Sequence, residues 1–139
     1  MKGKAFFITF FLIFIFVFLS LLYCGTGKYE VTNGYKYFDS KNELIDFIIE
    51  DDTDLMEYSK DFDCEKFAIT LQNNAMKKGY IVNVIVITGQ EMNKYFDRPD
   101  MDYDDLHAVC GAICNTWKGY EYVYIEPQTD EIKRVGFLE

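Results

Sequence analysis

The chain has a single histidine, His107, and four cysteines, Cys24, Cys64, Cys110 and Cys114. A cysteine attacks as its thiolate, so a nucleophilic cysteine needs surroundings that favour the anion. Cys64 follows Asp63, a good helix N-cap residue. The first turn it would occupy offers free amides and the positive end of the helix dipole. An imidazole can take up the proton and pass it on, and a carboxylate beside the ring fixes its tautomer and supports the imidazolium. A four-residue loop over Asn115–Lys118 sets His107 opposite Glu126 on antiparallel strands, and a tighter turn at Lys118-Gly119 sets it opposite Asp130. Either turn leaves a carboxylate on the histidine's face, one strand away. Read as structure alone, Cys64 is a small apolar residue on a buried helix face and His107 is one half of a cross-strand pair.

A second constellation competes. His107, Cys110 and Cys114 fall at i, i+3 and i+7, which on a helix share a face and, with Cys64, could bind zinc. Val109, Gly111 and Ile113 argue for a strand instead, on which His107 faces away from both cysteines. No metal and no cofactor is therefore expected. On a strand Cys110 and Cys114 stand roughly 13 Å apart, too far to bridge, and read as small core residues.

The elements that must position these residues are legible in outline. Tyr35–Phe38 reads as a brief strand. Ser40-Lys-Asn-Glu43 reads as a capping box ahead of a helix over Lys41–Glu50, and a short turn of helix is possible around Leu55–Ser59. From Cys64 to Lys78, Cys64, Phe67, Ala68, Leu71 and Ala75 follow one helical face, with Lys77, Lys78 and Gly79 suited to its end. Ile81–Thr88 is β-branched and reads as a strand. Gly89–Asp105 reads as a long, charged, irregular loop of the kind that borders sites. Strands follow over Leu106–Asn115, Tyr120–Glu126 and Ile132–Phe137, with a turn at Trp117-Lys118-Gly119. Helices first, then an antiparallel meander, makes an α+β domain.

The order of a cysteine at a helix start, a histidine at a strand start, and an acid–proline pair on the next strand resembles transglutaminase-like proteins, relatives of papain-type cysteine peptidases. The stretches that carry the resemblance are Asp63-Cys64-Glu65-Lys66-Phe67-Ala68, Leu106-His107-Ala108 and Tyr124-Ile125-Glu126-Pro127-Gln128-Thr129-Asp130. It covers roughly residues 55–135 and implies helices packed on a small antiparallel sheet. It also implies a catalytic set. Cys64 attacks an amide carbonyl, His107 carries the proton, Glu126 orients the ring with Asp130 as the reserve acid, and Tyr58 with the Cys64 amide holds the oxyanion. The sequence departs from the family in having Asp63 and Glu65 beside the cysteine, which oppose a thiolate. It also has Glu where Asp is usual, and Ala-Val rather than Ala-Trp after the histidine. An inactive module that binds peptides or wall material, and a tethered domain with no site, are the alternatives.

Ahead of the domain, Ala5–Tyr23 is uncharged, with only Thr9 and Ser20 as polar groups, and follows Lys2 and Lys4. Nineteen helical residues span roughly 28 Å, about one hydrocarbon core. The run exceeds a signal peptide's apolar region and lacks a small-x-small exit, so a single transmembrane helix or signal anchor is expected. Leu21-Leu22-Tyr23-Cys24 as a lipoprotein box anchored at Cys24 is the alternative. The parts are then a basic flank (1–4), a span (5–23), a linker (24–34) and an α+β domain (35–139). The basic flank favours the domain on the outer side. The net charge of −9 argues against nucleic acid and against electrostatic attraction to an anionic lipid surface. The expected partners are the membrane, through residues 5–23, and a peptide or protein amide. The sequence does not fix an oligomeric state.

Overall fold

The computed structural model describes residues 34–139. The apolar run, most of the linker and Cys24 lie outside the described residues. Among the described residues no helix is long and apolar enough to cross a membrane.

The domain is α+β, with three α-helices and one four-stranded antiparallel sheet. The order is α1 (Lys41–Ile49), a 3₁₀ turn (Thr53–Leu55), α2 (Cys64–Lys77), β1 (Val82–Thr88), α3 (Gly89–Phe96), β2 (Leu106–Thr116), β3 (Gly119–Glu126) and β4 (Glu131–Phe137). The strands pair in sequence order, β1-β2-β3-β4. Tyr35–Phe38, expected as a brief strand, makes only isolated bridges, Lys36 with Tyr80 and Phe38 with Cys114.

Local chemistry starts each helix. Ser40 Oγ accepts from the Glu43 amide at 3.1 Å. Glu43 reaches back to the Asp39 amide at 2.5 Å, one residue before the cap. Asp63 caps α2 by accepting from the Lys66 amide at 3.3 Å, and Gly79 ends it at φ +83°, a left-handed conformation that suits glycine.

The expected irregular loop over Gly89–Asp105 is half helix. Thr88 and Glu91 form a reciprocal capping box. Met92 and Phe96 then fall four apart on one buried face. Gly89 is required at the first position, because a Cβ there would lie 2.0 Å from the backbone oxygen of Asp102.

The sheet is covered on both faces. One face carries α1 and α2 over Val82, Ala108, Cys110, Ala112, Cys114, Val123 and Ile125. The other carries α3 over Ile87 and Val109, with Ile85 and Tyr124 beside them. Small side chains on β2 let α2 approach closely, and Cys110 Sγ donates to the Ala68 carbonyl at 3.3 Å. Phe38, fully buried, plugs the first core and stacks on Tyr80 at 4.3 Å.

Candidate functional site

Cys64 lies in the first turn of α2, half-buried, and packs against the core between α2 and the sheet. His107 is the second residue of β2 and pairs with Ile87 of β1. Its ring is largely enclosed, and its Nε2 and Glu126 Oε2 share a hydrogen bond of 2.7 Å. Glu126, at the end of β3, is 3% exposed in its side chain and also accepts from the Gln128 amide at 3.2 Å.

The hairpin register explains the His107–Glu126 pair. Thr116 pairs with Gly119 across a two-residue turn, Trp117-Lys118, and Cys110 pairs with Ile125. That register lies midway between the two expected ones. Continued to the strand end, it sets His107 level with Gln128 and Glu126 level with Val109. Glu126 is thus a diagonal neighbour of the ring. The three registers differ by even steps, so each leaves a carboxylate on the histidine's face.

Strand alternation also decides what stays apart. β2 runs without a bulge through its pairing with β1, so His107 and Cys110 face opposite ways. Cys110 bonds α2 at Ala68, and Cys64 is one helical turn earlier in α2, on that same face of the sheet. His107 shares the other face with Ile87 and Val109, under α3. No hydrogen bond joins Cys64 to His107 among the described residues. Nor does any group of three His, Cys, Asp or Glu side chains suited to a metal form there. The helical zinc arrangement is absent for the same reason, since Leu106–Thr116 is a strand.

The remaining candidates lie elsewhere. Tyr58 is 65% exposed and its ring lies parallel to Phe67 at 6.4 Å. Asp130 occupies the β3–β4 turn in a left-handed conformation, φ +58°. Partial burial, with the negative charges of Asp54 and Asp51 nearby, pushes its carboxyl up to about 6. Burial pushes the Cys110 thiol up to about 12, and burial with the Glu121 carboxylate pushes Cys114 up to about 11, so both are held as inert thiols. The chain matches no family model, no curated protein and no solved structure.

Sequence reasoning missed a second feature, an open groove at the opposite end of the sheet from His107. Ser40, Lys41, Trp117, Arg134 and Phe137 are among its lining residues. Its signal was in the sequence: the only tryptophan of the chain sits in a turn next to a lysine.

Proposed function

We propose that this chain is a membrane-tethered, non-catalytic module with a transglutaminase-like order of elements, its domain on the outer side and Ala5–Tyr23 as the anchor. Peptides or wall material are the ligand class. The observation that carries this reading is the separation of Cys64 and His107 onto opposite faces of the sheet. A thiol hydrolase must bring sulfur and ring nitrogen within hydrogen-bond reach, and here the sheet backbone intervenes. The 2.7 Å pair of His107 and Glu126 then serves structure, joining β2 to β3 where the strands end.

A second reading, amide-bond chemistry through Cys64, His107 and Glu126, is supported by that same hydrogen bond and by the place of Cys64 at a helix start. It requires the histidine to reach the other face. The test is labelling of the full chain by a peptidyl electrophile directed at cysteine hydrolases, with Cys64→Ser as control. The non-catalytic reading expects no labelling that depends on Cys64 and His107 together. Labelling lost in both Cys64→Ser and His107→Gln would establish the hydrolase.

A further inference from the structure

The domain has two chemically different ends. His107, Glu126 and Glu131 lie at one. The other gathers the start of β1, the β2–β3 turn and the end of β4, since Val82 pairs with Ala112, Thr116 with Gly119, and Glu121 with Phe137. Aromatic and apolar side chains are exposed at this second end: Trp117 at 90%, and Tyr120, Phe137 and Leu138 at 43–48%. Two cations accompany them. Lys118 lies 4.8 Å from the Trp117 ring centre and Arg134 5.9 Å from that of Phe137. Neither has a carboxylate within ion-pair distance among the described residues. Two nearby acids are engaged otherwise, Glu121 with Lys41 at 3.4 Å and Asp39 with Lys36 at 2.7 Å, while Glu139 follows Leu138 at the edge of the patch.

The described chain enters at this same end. The Lys36 amide donates to the Gly79 carbonyl, and the Phe38 amide to the Ile113 carbonyl. Tyr37 meets Tyr120 edge to face at 6.2 Å. Only residues 24–33 separate the apolar run from Gly34 in the sequence. Ten extended residues reach at most about 36 Å.

Amphipathic rings and snorkelling cations are the side chains that settle at a membrane–water interface, where a ring is half solvated and a cation meets phosphate. The net charge of −9 opposes attraction of the domain as a whole to anionic lipid, so docking rests on the rings and on the local field of Lys118 and Arg134, which screening confines to about 8 Å.

We infer that the end bearing Trp117, Lys118, Tyr120, Arg134, Phe137 and Leu138 is a docking surface for the lipid headgroup layer. It would set the His107–Glu126 end away from the bilayer. The inference rests on the membrane-anchor reading.

Trp117 is the sole tryptophan, so its fluorescence reports this surface alone. The full chain is reconstituted into phosphatidylcholine vesicles containing phosphatidylglycerol, with flotation measured alongside. The expected result is flotation, a blue shift of Trp117 emission on reconstitution, and loss of intensity with acyl-brominated lipid. Lys118→Glu with Arg134→Glu, both exposed, is expected to reverse the blue shift without preventing flotation. A chain that floats while its indole emission stays that of a hydrated ring, unquenched by brominated lipid, overturns the docking surface and leaves the anchor standing. A chain that does not float overturns both.

Discussion

Glu126 is enclosed almost completely, and its two visible partners are the His107 ring and the Gln128 amide. Removing the ring leaves a buried acid with one donor, and a buried acceptor left short of a partner costs roughly 1–3 kcal/mol. His107→Ala is therefore expected to lose about that much in urea denaturation. Glu126→Gln added to it should restore part of the loss, because an amide is cheaper to bury than a carboxylate. Additive losses in the double variant would contradict the pairing. The buried thiols give a second test at this scale. Cys110 and Cys114 are expected to resist alkylation in the folded protein and to react once denaturant is added. The acid on the histidine's face was legible in the sequence because parity survives an error of register. The side of the sheet that α2 would cover was not. Ala, Cys, Ala, Cys alternating with His, Val, Gly, Ile gives two faces that are both apolar enough to bury.

Among the elements, α3 was the one hidden in the sequence. Its eight residues are mostly polar, so composition read as loop. Yet Thr88-x-x-Glu91 is the same start signal that marked α1, and Met92 and Phe96 lie at helical spacing. The cap is expected to stabilise this short helix measurably. Thr88→Ala should cost about 1 kcal/mol, read by chemical denaturation. Gly89→Ala should lower the melting temperature further, because its Cβ meets backbone rather than a movable side chain.

The β3–β4 turn carries a pH dependence of definite sign. The folded pKa of Asp130, about 6, lies above its ordinary value of 3.8, so between these values the folded state binds the extra proton. Stability from this group is present below pH 4, falls as pH rises to 6 and is flat above. Asp130→Asn, which keeps a residue tolerant of positive φ, is expected to be the more stable protein at pH 7.5 and equal to wild type near pH 3.5. Solvent screening keeps the difference under about 1 kcal/mol. Denaturation midpoints at the two pH values check it.

For the whole molecule, the α+β class and the placing of α1 and α2 ahead of the strands followed from periodicity and capping, whereas α3, set between β1 and β2, breaks the expected order of helices first and then a meander. The sequence could not reveal that the sheet is covered on both faces, because that depends on α3, the helix hidden in polar residues. The consequence is functional. With α1 and α2 on one face and α3 on the other, the sheet separates the residues expected to act together, Cys64 on one side and the His107–Glu126 pair on the other. The molecule's exposed aromatic end is separate from both. The measurement that bears most directly on this division is the rate of Cys64 alkylation by iodoacetamide across pH 5–9, taken as the difference from Cys64→Ser. Wild type and His107→Gln, each shown to be folded, are compared. Superimposable profiles are expected if ring and sulfur occupy opposite faces. A wild-type rate at neutral pH that falls in His107→Gln would contradict the account and place the imidazole beside the thiol.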